Sequence, residues 1–185
     1  MEYKELPFGT RSPKHDCVFV WIYAKNCTPY QNYPYNDIPN VTLMLSELRW
    51  DGLMGGVGGA VETDDISLEE AVKREAWEEI HYDLPVGRLE PLLTLKNFSG
   101  SHNHSFSLEV SYEELVQIRN NAHLGEHFSA ENAGVNLVHI CRYMKPNKVE
   151  CGYKWFLEQQ FIGSSKQELE YLVDTKGLLV NYTGK

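Results

Sequence analysis

Seven consecutive residues, Cys17-Val18-Phe19-Val20-Trp21-Ile22-Tyr23, carry no charge and are rich in β-branched and aromatic side chains. Such a run reads as a strand, and a strand with no polar side must be covered on both faces. The fold must therefore contain a sheet with other elements packed above and below it. Val41 to Leu48 reads as a second strand, Leu89 to Leu95 as a third, and Gly134 to Tyr143 as another apolar strand. Phe106, Leu108 and Val110 alternate as in a half-buried strand. Helices are signalled by Ser67-Leu68-Glu69-Glu70, a capping box opening a helix to about Ile80, by Ser111 before Glu113 to Arg119, and by Ser164 or Ser165 before a helix closed by Gly177. Strands and helices mix without a βαβ rhythm, which predicts an α+β domain, an α/β/α sandwich on a mixed sheet.

The chain has 185 residues, the size of one domain, and residues 1–185 are assigned to a single one, with 1–14 a loosely held polar arm. Residues 26–40, dense in Pro, Asn and Tyr, form a loop, and Gly55-Gly56-Val57-Gly58-Gly59 reads as a flexible link into the first helix. No apolar run approaches the ~18 residues that span a bilayer, and the N-terminus lacks the apolar core of a signal peptide, so a nuclear or cytoplasmic setting is expected. Cys17 and Cys141 sit in apolar runs and read as small core residues. The net charge of −9 argues against a general nucleic-acid binder. It leaves room for a phosphate substrate, because a carboxylate-rich site presents positive charge through a metal ion.

Glu75, Glu78 and Glu79 stand at i, i+3 and i+4 on the first helix, which places all three on one side of it. Three like charges there destabilise a helix alone, and a hard divalent cation with oxygen ligands offsets the repulsion. Arg74 can reach Glu70 and Glu78, each four residues away. An acidic triplet of this kind is commonly just a solvated face. Two features favour a site: the glycine-rich entry, which lets backbone approach a ligand closely, and the narrow apolar face of the helix.

Gly59, then Arg74-Glu75-Ala76-Trp77-Glu78-Glu79, then Tyr82, resembles the box of the Nudix hydrolases, Gly-x5-Glu-x7-Arg-Glu-U-x-Glu-Glu-x-Gly-U with U apolar. The loop is one residue longer than that pattern, so Ile66 falls where the box has its first glutamate. Asp64, Asp65 and Glu62 are the candidates for that acid. His81 replaces the second glycine, in a left-handed position that histidine tolerates at a cost below ~1 kcal/mol. Arg49-Trp50-Asp51-Gly52, the loop from Gly58 to Glu69, and Trp155 to Ser164 extend the resemblance to the snoRNA-decapping subgroup, which also contains inosine diphosphatase activity, over roughly residues 15–180. The segment 96–106 is shorter than in that subgroup, as if a hairpin were trimmed.

The resemblance implies a pyrophosphohydrolase that uses Mg²⁺ or Mn²⁺, with metal-activated water attacking phosphorus in capped RNA or an inosine-type nucleoside diphosphate. It implies metal binding by Glu75, Glu78 and Glu79 with the carbonyl of Gly59. One of the glutamates, or a second acid, takes the proton. Arg49, Gly58, Ile162 and Gln167 are the implied substrate-binding residues, with His15 as a base-stacking candidate several residues from the family's register. A homodimer is implied as well. The alternative is a catalytically silent RNA- or protein-binding module, as in a relative that has lost catalytic residues; the intact glutamates argue against it and the short 96–106 segment argues for it. Elsewhere Trp50 and Trp155 are assigned to core packing, His102 and His104 to a turn or strand surface, and Arg142, Lys145, Lys148 and Lys154 to a solvated basic patch.

Overall fold

The computed structural model describes residues 3–28, 40–144 and 150–181. The apolar run lies in β2 (Asp16–Cys27), where Val18 and Val20 to Ala24 are buried. One edge of β2 is covered by β7 (His102–Glu109), which runs parallel to it. The other edge is shared: β5 (Val57–Ala60) pairs with Cys17 to Val20, and β3 (Val41–Arg49) pairs from Tyr23 onward. The ladder therefore divides at Trp21 and Ile22, and two different segments are brought side by side.

The full sheet runs β1 (Lys4–Leu6), β6 (Glu90–Lys96), β7, β2, β3, β8 (Asn132–Met144), β10 (Val180–Asn181), with β4 (Met54–Gly55) on β3, β5 on β2 and β9 (Glu150–Gly152) on β8. The β2–β7 and β8–β10 pairs are parallel and the others antiparallel, the mixed sheet that was expected. Strand alternation sends Val18, Val20 and Ile22 of β2 with Leu43 and Leu45 of β3 to one face, under α1 (Leu68–Ile80) and α2 (Tyr112–Asn121). Trp21, Tyr23 and Met44 go to the other, where Tyr153 and Phe156 of α3 (Tyr153–Leu157) and Leu169, Leu172 and Val173 of α4 (Ser165–Thr175) cover them. Each aliphatic side chain so buried contributes about 1.5–3 kcal/mol. The α/β/α sandwich is the predicted fold class.

Several expectations are corrected. The glycine-rich segment is no free link: it contributes β4 and β5, because glycines without Cβ atoms fit against the β2 backbone. Residues 3–14, expected as a loose arm, are tied down. β1 pairs with β6, Arg11 reaches Asp16 at 2.6 Å, and Phe8 packs edge-on to Phe106 at 5.2 Å. The strand around Phe106 starts at His102 and is buried on both sides. His102 and His104 lie inside it, bonded to Thr10 O at 2.7 Å and to the Asp16 carboxylate at 2.9 Å. Trp50 and Trp155, assigned to the core, are 66% and 52% exposed. Cys141 is buried, but Cys17 is only partly so. The trimmed segment forms a closed hairpin in which Asn97 Oδ1 accepts the Ser101 N–H at 3.0 Å. Most of the 26–40 loop, with Lys145 and Lys148, lies outside the described residues. Among the described residues no helix is long and apolar enough to cross a membrane.

Candidate active site

The Ser67 N-cap forms as read: Ser67 Oγ accepts the Glu70 N–H at 3.1 Å and starts α1. At the far end His81 takes the left-handed conformation, φ 51° and ψ 45°. Four carbonyls near that end, from Ala76 to Glu79, find donors beyond the helix. His81 N–H bonds Trp77 O at 3.0 Å, Tyr82 N–H bonds Ala76 O at 3.2 Å, His127 N–H bonds Glu78 O at 2.9 Å and Asn132 Nδ2 bonds Glu79 O at 3.1 Å. A helix end satisfied in this way resists fraying, so the backbone that carries the carboxylates is held in place.

Those carboxylates do not lie on a separate solvated side. Glu75 and Glu79 continue the same stripe as Leu68, Val72, Ala76 and Ile80 and are 7% and 2% exposed. The glycine pair explains how two acids enter a sheet-facing position. Gly58 N–H donates to Glu79 Oε2 at 2.8 Å, and its φ of 144° suits no other residue. A Cβ on Gly59 would stand 2.7 Å from Glu75 Oε2, so the Glu75 carboxylate rests directly over that glycine.

Arg74 is saturated. Nε bonds Asp65 Oδ1 at 3.2 Å, Nη1 bonds Glu75 Oε1 at 3.0 Å and Glu78 Oε2 at 2.8 Å, and Nη2 bonds Asp65 Oδ2 at 3.1 Å and Ala60 O at 2.8 Å. All five guanidinium donors are used, which fixes the cluster's geometry more rigidly than an ammonium can. Arg74 therefore meets Glu78 as expected, but not Glu70; its remaining donors go to Glu75, Asp65 and the Ala60 carbonyl. Of the three loop acids left open by the sequence, Asp65 is the one that holds the arginine. Burial alone would raise its carboxyl, but bonds to Arg74 and to the Glu62 N–H bring it below the usual range.

Sequence reasoning missed Glu47, which lies on β3, is 2% exposed and touches the Glu79 side chain. Its signal was legible: Leu43, Leu45 and Glu47 share one face of a strand, so an acid stands where alternation calls for an apolar residue. Burial pushes Glu47 up to about 8 and Glu75 up to about 7. Glu79 rises too, through burial and the neighbouring Glu47. Glu131 adds negative charge to all three, positioned by its carbonyl, which accepts the Trp50 N–H at 3.0 Å.

The remaining candidates are scattered around this cluster. Arg49 stands within electrostatic reach of Glu47, its guanidinium 3.4 Å from Asp51. The Gly58 N–H, a candidate substrate contact, is already engaged by Glu79. Ile162 packs against Gly55, the residue paired with Glu47 across β3 and β4. Gln167 is exposed on α4. His15 is exposed at the start of β2, and its carbonyl accepts the His102 N–H at 3.0 Å. Phe19, which sequence reasoning passed over, is the partly exposed aromatic of the β2 centre, flanked by Gly58 and Ser105.

The donor set fits a hard divalent cation, since it consists of carboxylate oxygens around a glycine cradle, with one buried oxygen, Glu47 Oε1, that has no hydrogen-bond partner. As they stand, no three His, Cys, Asp or Glu side chains among the described residues already converge on one point. Arg74 Nη1 lies between Glu75 and Glu78, so ligation requires those carboxylates to turn from it.

A family model described as Nudt16-like, U8 snoRNA-decapping enzyme-like, matches residues 16–179. The U8 snoRNA-decapping enzyme of Xenopus laevis is 30% identical over 178 residues, spanning 90% of this chain and 77% of the relative. That of Ovis aries is 29% identical over 166 residues, 86% and 84% of the two chains. Among solved structures, a mutT/nudix family protein from Listeria innocua superposes with a TM-score of 0.59 at 16% identity, over 90% of this chain and 96% of its own. The NUDIX domain of Shewanella oneidensis NrtR, complexed with ADP ribose, gives 0.55 at 17%, over 91% and 90%. At such identities the structures speak for the fold alone, and they agree with the sandwich described above. With the box acids assembled on α1 and the family model spanning nearly the whole sheet, the chain belongs to the Nudt16-like, U8 snoRNA-decapping enzyme-like family and is a Nudix hydrolase.

Proposed function

We propose that this hydrolase cleaves a phosphoanhydride bond in capped RNA, in inosine-type nucleoside diphosphates, or in both, and that it depends on Mg²⁺ or Mn²⁺. The observation that carries the reading is the burial of Glu75, Glu79 and Glu47 beside the glycine pair, with Arg74 spent on Glu75, Glu78, Asp65 and the Ala60 carbonyl. When bound, the cation supplies charge neutralisation at phosphate oxygens and a lower pKa for water.

The chain's own residues do the rest. Glu75, Glu78 and Glu79, with the Gly59 carbonyl, are assigned as metal ligands. Arg74 orients two of those carboxylates, and the Gly58 N–H holds the third. Arg49 offers a planar fork suited to a phosphate oxygen pair once it leaves Asp51. Ile162 and Gln167 are assigned to the base side of the substrate, and His15, exposed at the strand end, to stacking on the base. A nuclear or cytoplasmic setting and a homodimer accompany this reading.

The test is an assay of the purified chain with Mg²⁺ or Mn²⁺ against inosine diphosphate, nucleoside triphosphates and m7G-capped RNA. Cation-dependent release of phosphate or cap nucleotide that Glu79→Gln abolishes is the expected result. No release from any of these substrates would remove the proposal.

A further inference from the structure

Every acid assigned above as a cation ligand comes from the helix side of the site. Glu47 comes from the sheet. It occupies the inward face of β3 after Leu43 and Leu45, is 2% exposed, and lies against Glu79. Its Oε1 is buried with no hydrogen-bond partner, an arrangement proteins avoid because a buried polar oxygen without water or a donor loses its solvation uncompensated. The cation in reach, Arg49, lies at 3.4 Å from Asp51. Arg74, the other arginine of the site, has no donor left for it. Glu79 receives a backbone N–H from Gly58 and hydrogen-bonds the Glu47 side chain, which leaves Glu47 Oε1 as the oxygen of the pair recorded without a partner.

We propose that Glu47 is a carboxylate of the divalent-cation site, closing it from the sheet side opposite Glu75, Glu78 and Glu79. This rests on the reading of those three as ligands. The site then has an inner wall as well as a helix face, and the orphaned Oε1 is the oxygen that the cation satisfies. Hard-cation chemistry suits such a position, because a divalent ion tolerates several carboxylates that would otherwise repel one another.

The experiment titrates Mn²⁺ calorimetrically into the purified wild-type chain, Glu47→Gln, Glu47→Leu and Glu75→Gln, with melting temperatures in EDTA taken alongside. Glu47→Gln should bind Mn²⁺ about tenfold or more weakly than wild type. Its cation-free melting temperature should equal or exceed that of wild type, and Glu47→Leu should behave alike on both counts. Mn²⁺ affinity in both Glu47 variants within about twofold of wild type would overturn the inference, as would a cation-free loss of folding in both, which would mark Glu47 as structural. If wild type and Glu75→Gln bind alike, the assignment of the helix carboxylates fails instead. If wild type takes up no Mn²⁺, both fail together.

Discussion

The two faces of the sheet each bury a carboxylic acid, and the contrast between them separates structure from chemistry. Beneath α4, Glu168 is fully buried, yet it accepts Ser164 Oγ–H at 2.5 Å and Trp21 Nε1–H at 3.4 Å, and Ser164 in turn accepts Asn103 Nδ2 at 2.7 Å. Burial raises its carboxyl while neutral donors draw it back. Beneath α1, Glu47, Glu75 and Glu79 face one another, and the oxygen Glu47 Oε1 is unpartnered. An acid satisfied by neutral donors is complete within the fold. Acids gathered against each other repel once ionised and so hold their protons to higher pH, an arrangement that a divalent cation would relieve.

The largest expected effect falls on the α1 face. Glu79→Gln should lower cation-dependent hydrolysis by about a hundredfold or more, while Glu168→Gln, which keeps its acceptor oxygen, should change it by less than about threefold. Steady-state rates at saturating Mn²⁺ decide this, and similar losses in both would erase the distinction between the faces.

Arg74→Ala comes next. It strands Asp65, Glu75 and Glu78 without their common partner, and we expect a loss of about 2 kcal/mol or more, read by urea denaturation in EDTA. Added Mn²⁺ should recover part of that loss in this variant.

Glu168→Leu should destabilise by about 1–3 kcal/mol by leaving Ser164 and Trp21 donors unpaired, whereas Glu47→Leu should leave the cation-free protein as stable or more so. Paired denaturation curves sharpen the comparison to single residues.

The smallest effect is a pH trend. Glu75 and Glu47 have folded values of about 7 and about 8, above the ~4.3 of a free glutamate, so between those limits the folded state binds more protons than the unfolded one. Their favourable contribution is complete below about pH 4 and is lost as the pH rises through about 7 to 8. In EDTA the melting temperature should therefore fall by a few degrees from pH 5.5 to pH 8.5, and Mn²⁺ should flatten that slope. A rise over the same interval would contradict the burial of these acids.

Much of this was legible in the residues. The apolar run from Cys17 to Tyr23 demanded a doubly covered sheet, Ser67 and His81 marked both ends of α1, and the triplet with Arg74 pointed to the candidate site. Partners distant in sequence were not legible. Asp65 could not be told from Asp64 or Glu62 until the loop closed Asp65 onto Arg74. The sequence alone puts His102 and His104 at a surface because nothing local announces a Thr10 carbonyl or an Asp16 carboxylate. The glycine run read as flexible because absent side chains signal freedom locally, whereas β2 turns that absence into close packing. Trp50 and Trp155 show the converse, since hydrophobicity alone does not bury a residue at a turn or on a short helix.

The most direct test of the central claim compares Mn²⁺ binding by calorimetry in wild type, Glu79→Gln and Glu168→Gln. Binding by wild type and Glu168→Gln, with at least about a tenfold loss in Glu79→Gln, is the expected result. Equal binding by all three, or none by wild type, would contradict it.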